Sequence, residues 1–115
     1  MPYNRGTYLR NQKSMIEASR KYRQKLRHIV LYHYSLTSKI TCACCGEDEY
    51  LFLCLDHKNN DGAQHRREVG SGARLYQWII KNEFPEGFQV LCYNCNSVKG
   101  WYGYCKVHRD KEIDP

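Results

Sequence analysis

The sequence predicts an α+β fold, in which a long basic N-terminal helix precedes a small domain of two short strands and two short helices. Residues 10–34 contain no glycine or proline and favour helix. Two short apolar runs, at 50–55 and 87–91, have the length and composition of strands. Apolar residues at helical spacing between the runs predict one short helix, and a last helix is predicted after the second run.

The N-terminal helix is predicted to pack along one face and to stay basic elsewhere. The expected packing stripe is Tyr22, Leu26, Ile29, Val30 and His33. Four basic residues lie mainly off this stripe, namely Arg20, Lys21, Arg23 and Arg27. Residues 1–41 carry nine Lys/Arg against one acid, whereas residues 42–115 carry nine Lys/Arg against eleven acids. A basic arm on a near-neutral body favours a nucleic-acid partner, and a solvated helix without a partner is the alternative.

The predicted organisation is a basic helical arm over 1–38, a small domain over 39–108 and a C-terminal tail over 109–115. The polar, glycine-punctuated segment 57–72 is predicted to be a long loop. Nothing near the N-terminus resembles a signal peptide, and no apolar run is long enough to cross a membrane. We therefore expect an intracellular protein with no membrane partner, whose seven cysteines are thiols or metal ligands.

Two C-x-x-C pairs, separated by 46 residues, predict a structural zinc site. They are Cys42 with Cys45 and Cys92 with Cys95. Four thiolates at this spacing suit tetrahedral Zn²⁺, and the alternatives are unrelated buried cysteines or redox-active pairs. The zinc is expected to fasten the start of the first strand to the start of the last helix.

Three cysteines remain outside these pairs. Cys44 lies inside the first pair, and Cys54 alternates along the first strand as a small core side chain. Cys105 and His108 form a C-x-x-H pair that could bind a second metal ion, although no second pair is obvious in the sequence.

The first apolar run leads directly into Asp56 and His57, whose side-chain types bind metal ions and move protons. Taken alone, such a pair is most simply a hydrogen-bonded end to a strand. Asn96 and Lys99 follow the second cysteine pair on the last predicted helix. The combination of this pair, both cysteine pairs and Asn96 favours a catalytic site.

At this point the chain resembles the HNH nucleases, also called ββα-metal or His-Me finger nucleases, and within them the zinc-stapled, endonuclease VII-like branch of phage type. The resemblance rests on "CACCG", on "LDH" at 55–57 and on "LCYNCN" at 91–96, and it covers about residues 40–104. It implies a small zinc-bound ββα-metal domain behind the basic helix. For a phage-encoded chain it also implies the cytoplasm of the host cell.

The resemblance implies roles for three residues. His57 would be the general base that activates water, and Asp56 and Asn96 would hold one divalent ion, Mg²⁺ or Mn²⁺, against the scissile phosphate. These roles suit the residue types, because an imidazole titrates near neutrality and a hard cation prefers carboxylate and amide oxygens.

The chain also departs from the family pattern. Gly87 stands where many HNH motifs carry a middle asparagine, and Asn59 or Asn60 is the candidate to brace the loop instead. A long insert after Asp56-His57 contains His65, Arg66 and Arg67. We expect His65 to lie in the loop or to contact phosphate, with metal binding as the alternative.

The expected function is metal-dependent hydrolysis of duplex or branched DNA, with Arg66, Arg67 and Lys99 near the cut and the basic helix along the phosphate backbone. One alternative is a catalytically silent zinc module that binds nucleic acid. Another is a docking subunit of a phage DNA-processing assembly. The helical stripe is also compatible with a homodimer.

Overall fold

The computed structural model describes residues 5–108, so residues 1–4 of the predicted arm and the predicted tail at 109–115 lie outside the described residues. The fold is α+β with a long N-terminal helix and a two-stranded sheet, as the sequence predicts. The elements in chain order are α1 (Arg5–Tyr34), a 3₁₀ turn (Tyr50–Phe52), β1 (Leu53–His57), α2 (Gly62–Val69), α3 (Ala73–Lys81), β2 (Phe88–Cys92) and α4 (Tyr93–Tyr102).

The two strands form an antiparallel pair that carries the residues of interest at its two ends. Leu53 pairs with Cys92 at one end, and His57 pairs with Phe88 at the other. The first strand therefore begins three residues later than predicted and includes His57. Tyr50–Phe52 forms a 3₁₀ turn instead, because the Glu49 side chain accepts a hydrogen bond from the Leu51 amide and caps it.

The prediction of one long loop over 57–72 is wrong, because α2 occupies Gly62–Val69. This segment, "GAQHRREV", contains several good helix formers between two glycines, yet it lacks the apolar stripe that would have identified it as a helix. Gly70 ends the helix at φ +97°, a conformation that favours glycine.

The second half of α1 belongs to the core of the domain. Leu26, Val30 and Leu31 are its buried residues. Val30 packs with a cluster from α3 and β2, and Leu31 packs with the cluster around the cysteine pairs. Leu26 and Val30 of the predicted stripe are buried, whereas Tyr22 and Ile29 are exposed. His33 is also exposed, but its ring stacks on Phe84 with centroids 4.1 Å apart.

The first part of α1 is an exposed arm. Every residue from 5 to 25 is exposed, and a 30-residue helix is about 45 Å long at ~1.5 Å per residue. The arm is therefore continuous with a core element, and its direction is fixed by the packing of its last turns. Within residues 5–108, no helix has the combination of length and apolar character that crossing a membrane requires.

Candidate functional site

Four cysteine side chains from two distant parts of the chain meet beside the Leu53–Cys92 end of the sheet. Their sulfur atoms all lie within 4.8 Å of one another, and the four are Cys42, Cys45, Cys92 and Cys95. The Sγ atoms of Cys45 and Cys92 are 3.7 Å apart. Tetrahedral Zn²⁺ with Zn–S bonds of about 2.3 Å separates its sulfurs by about 3.8 Å. This group, the four-cysteine site, could hold a metal ion such as zinc.

Backbone amides point at the sulfurs of this site. The Cys45 amide lies 3.5 Å from Cys42 Sγ, and the Cys95 amide lies 3.4 Å from Cys92 Sγ. Burial opposes ionisation of Cys42, but the backbone N–H groups around it outweigh burial and lower the pKa of this thiol to about 7. The local turn therefore favours the thiolate, which is the form that binds zinc.

The centre of the group is less favourable for a thiolate in the absence of a cation. Cys95 is 1% exposed, and burial together with the neighbouring sulfurs raises the pKa of its thiol. Closely packed thiolates repel one another, and a divalent cation offsets that repulsion. The arrangement therefore suits a bound metal ion better than four free thiols.

Cys95 also belongs to a second group, which the spacing in the sequence does not reveal. Its other members are Cys44, Cys105 and His108. The Cys105-x-x-His108 pair thus has the partners that the sequence left unidentified. Cys54 joins neither group, because its thiol donates to the Leu91 carbonyl oxygen at 3.3 Å.

An open cavity of about 580 Å³ lies at the opposite end of β1. Asp56, His57 and Asn96 line it together. Successive side chains of a strand point to opposite faces, so Asp56 faces α4 while His57 faces α2 and α3. Asn96 and Lys99 lie three residues apart on α4 and line the same cavity. The structure therefore brings together the three residues that the sequence singles out.

The His57 ring is buried and oriented by its neighbours. Its Nε2 atom lies 3.0 Å from His65 Nδ1, and its ring packs on Phe88 with centroids 4.8 Å apart. Burial, followed by the charge of His65, lowers the pKa of His57 below its usual value of 6.5. The neutral imidazole, which can accept a proton, is therefore favoured at neutral pH.

Gly62 allows this packing because it has no side chain. A Cβ atom on Gly62 would lie 2.9 Å from His57 Nδ1 and 2.9 Å from Arg66 Nη1. Both distances are shorter than ordinary van der Waals contact. The first residue of α2 is thus where the backbone approaches the imidazole and a guanidinium closely.

Asp56 is a buried carboxylate with two partners. Lys99 Nζ lies 3.2 Å from one carboxylate oxygen, and Gln89 Nε2 donates to that oxygen at 2.8 Å. Lys99 is only 8% exposed and also donates to the His57 carbonyl oxygen at 2.9 Å. Lys99 therefore lines the cavity with an ammonium group that is already paired with Asp56 and hydrogen-bonded to the backbone, and it is not a free surface cation.

Asn60 braces the turn that follows β1. It adopts φ +59°, and its Oδ1 accepts a hydrogen bond from Lys99 Nζ at 2.6 Å. Its Nδ2 donates to the Gly103 carbonyl oxygen at 3.3 Å. The Asn60 side chain thus links the turn to Lys99 of α4 and to Gly103, the residue at which α4 ends. Asn59 is exposed in the same turn and does not line the cavity.

His65 lies on α2, so the expectation that it sits in a loop is wrong. Its ring packs edge-on against Trp78 of α3, with centroids 4.4 Å apart. Together with the contact to His57 Nε2, this packing gives His65 a positioning role beside the imidazole.

Six predicted nucleic-acid-binding residues besides Lys99 differ in their surroundings. Five are exposed, namely Arg20, Lys21, Arg23, Arg66 and Arg67. Arg27 is half-buried, donates to the Leu53 carbonyl oxygen and stacks over the Tyr50 ring at 4.7 Å. Arg27 therefore joins α1 to the start of β1, and the other five present their charge to solvent.

A second depression lies between the arm and helices α2 and α3 and shares one lining residue, Arg66, with the cavity. Arg23 of α1, Arg66 of α2 and Arg74 of α3 line it together. Because Arg66 also lines the cavity that contains Asp56 and His57, basic side chains follow one another from the arm to that cavity. We call Arg23, Arg74 and Arg66 the arginine track.

Sequence reasoning missed Arg74, Gly62 and the partners of Cys105. Arg74 stands at the start of a short helix where nothing in the sequence separates it from an ordinary surface residue. Cys44 and His108 are 64 residues apart, and only the folded chain brings them within 3.3 Å.

Comparison of this chain with protein-family models, with curated proteins and with solved structures finds no match. The metal-binding and catalytic interpretations of the two sites therefore depend on the side chains and distances described above.

Proposed function

We propose that this protein is a metal-dependent endonuclease of the HNH type that hydrolyses DNA phosphodiester bonds. The observation that carries the proposal is that Asp56, His57 and Asn96 line one open cavity. A carboxylate, an imidazole and an amide are the groups that a one-metal hydrolysis of a phosphodiester requires. The arginine track supports the choice of substrate, because it leads a polyanion toward the same cavity.

In the proposed mechanism, His57 is the general base. When its Nε2–H donates to His65, Nδ1 keeps a lone pair that can accept a proton from water. The resulting hydroxide attacks phosphorus, the P–O3′ bond breaks, and a second water molecule protonates the leaving oxygen to give a 3′-hydroxyl, while His57 returns its proton to solvent. Arg66, an exposed residue that lines the cavity, holds a nonbridging phosphate oxygen.

The donors in the cavity fit a hard divalent cation. Asp56 offers a carboxylate and Asn96 an amide oxygen, and water and phosphate complete the shell that Mg²⁺ or Mn²⁺ prefers. Such an ion stabilises negative charge on the phosphate and on the leaving oxygen when it is bound. Lys99 pairs with the Asp56 carboxylate at 3.2 Å and, through Asn60, fixes the turn behind His57.

The proposal is tested by incubating the full chain with supercoiled, linear and branched DNA in metal-free buffer and with added Mg²⁺, Mn²⁺ or Ni²⁺. We expect nicking only with an added ion. His57→Ala should reduce cleavage by at least about 100-fold, the usual minimum for loss of a general base. Zinc content and circular dichroism of the variant should match the parent chain. A parent chain that cuts none of these substrates with any ion would refute the proposal.

One observation favours a second candidate, a zinc module that binds DNA without cutting it. The Lys99 ammonium already neutralises the Asp56 carboxylate, which is the strongest candidate ligand for a catalytic ion. In that case the cleavage assay would show no cutting under any condition, and fluorescence anisotropy would still show salt-dependent binding of DNA.

Replacing Arg20, Lys21 and Arg23 together by glutamine should weaken DNA binding and reduce its salt dependence. Each phosphate contact contributes a slope of about −0.9 to log K against log[salt], so losing three contacts should flatten the slope by about 3. Fluorescence anisotropy with a duplex, in metal-free buffer from low to moderate salt, measures both effects. Lys81→Gln, at the far end of α3, is the control and should leave the slope nearly unchanged. An unchanged slope in the triple variant would exclude the arm from the DNA interface.

A further inference from the structure

Two groups of metal-binding side chains share one sulfur. Cys95 is a member of the four-cysteine site and also of the group completed by Cys44, Cys105 and His108. In each group the ligand atoms all lie within 4.8 Å of one another. Seven side chains with one shared sulfur supply two complete sets of four donors.

The distances in the second group have the size of the edges of a zinc tetrahedron. His108 Nδ1 lies 3.3 Å from Cys44 Sγ, 3.6 Å from Cys95 Sγ and 3.1 Å from Cys105 Sγ. Zn–S and Zn–N bonds of about 2.3 and 2.0 Å put sulfur and nitrogen about 3.5 Å apart. The three nitrogen–sulfur distances therefore match the edges of a zinc tetrahedron, and the sulfurs lie within 4.8 Å of one another.

Two local features of the backbone bring the ligands of both groups together. Cys44 and Cys45 are consecutive in an exposed turn, so one turn supplies sulfurs to both groups. At the other end, Gly103 adopts φ +83° and ends α4, which lets the following segment fold back. Cys105 and His108 are three residues apart, and this spacing is common between neighbouring ligands of zinc sites.

We propose that the protein binds two zinc ions in one cluster, bridged by the Cys95 thiolate. One ion is held by Cys42, Cys45, Cys92 and Cys95, and the other by Cys44, Cys95, Cys105 and His108. Sharing Cys95 completes two tetrahedra with six thiolates and one neutral imidazole. Two Zn²⁺ ions with these ligands carry a net charge of −2, and two independent sites would need a further thiolate.

The second ion has a structural consequence at the cavity. It fixes the segment that follows α4, and the Gly103 carbonyl at the start of that segment accepts the hydrogen bond from Asn60. The cluster therefore holds α4 at both ends, through Cys92 and Cys95 at the first turn and through Cys105 and His108 beyond the last. This inference does not depend on the proposed nuclease activity.

Metal content of the untagged full chain, refolded with excess Zn²⁺ and dialysed, tests the proposal by native mass spectrometry and elemental analysis. We expect two zinc ions per chain. Cys44→Ser and His108→Ala should each hold one, and Cys54→Ser, which changes a cysteine outside both groups, should hold two. A parent chain with one zinc ion, or variants that keep two, would overturn the proposal.

The bridging role of the Cys95 sulfur can be tested separately, by cadmium NMR of the parent chain. With ¹¹³Cd²⁺ in place of zinc, two NMR signals should appear and should split each other through the shared sulfur. Two signals without mutual splitting would mean two separate sites and would reject the bridge. His108→Ala should collapse the spectrum to one unsplit signal.

Discussion

Cys92→Ser is expected to remove zinc from the four-cysteine site and to unfold most of the domain. Cys92 is 5% exposed, is the last residue of β2, and caps α4 by accepting a hydrogen bond from the Cys95 amide. The substitution thus removes one sulfur of the four-cysteine site at the junction of a strand and a helix. Structural zinc contributes about 10–16 kcal/mol in small zinc domains, and typical domains are stable by only about 5–15 kcal/mol.

The measurement is thermal unfolding followed by near-ultraviolet circular dichroism and by tryptophan fluorescence, in which the change on unfolding comes mainly from Trp78 in the body of the domain, because Trp101 is already exposed. These signals report tertiary packing, whereas far-ultraviolet signals would also include residual helix in the arm. Cys54→Ser is the matched control, because it changes a half-buried cysteine that has no part in either metal-binding group. A Cys92→Ser protein that melts cooperatively at the parent temperature without zinc would contradict a structural role for the ion.

Local patterns in the sequence predicted the parts of the fold and of the site that depend on near neighbours. The C-x-x-C spacing identified the four cysteines because each pair sits in one turn, and the Asp56-His57 dipeptide lies at the end of an apolar run. The sequence does not predict helix α2, because this helix buries no residue and its apolar residues therefore do not recur at helical spacing. Its presence moves His65 from a loop to a helix that supports the His57 ring.

Contacts between distant residues could not be predicted in the same way. The sequence predicts Lys99 near the cut, but it does not reveal that the ammonium group is buried against a carboxylate 43 positions earlier. Arg27 turns from the arm to the Leu53 carbonyl oxygen. In both cases the sequence shows a basic residue among others, and only the packing of α4 and α1 against the strands determines what its charge meets.

Asp56→Ala is expected to abolish metal-dependent cleavage and also to destabilise the fold. The substitution removes the proposed metal ligand and leaves the Lys99 ammonium buried without its counter-charge. Breaking a buried ion pair from one side typically costs about 3–5 kcal/mol. Chemical denaturation at constant zinc, alongside the nicking assay, measures the two effects separately. Asp48→Ala is the control, since it breaks an ion pair with Lys39 that is open to solvent, and it should change stability little.

The double variant Asp56→Ala/Lys99→Met distinguishes the two roles of the carboxylate. Methionine fills much of the lysine volume without a charge, so most of the lost stability should return, because no unpaired ammonium remains buried. Cleavage should stay absent, because neither substitution restores an oxygen ligand beside Asn96. If Asp56→Ala alone were as stable as the parent chain, the Lys99 ammonium would not need the carboxylate as its counter-charge, and the expected cost of an unpaired buried charge would be refuted. If the double variant cut DNA, Asp56 would not be the metal ligand, whatever its contribution to stability.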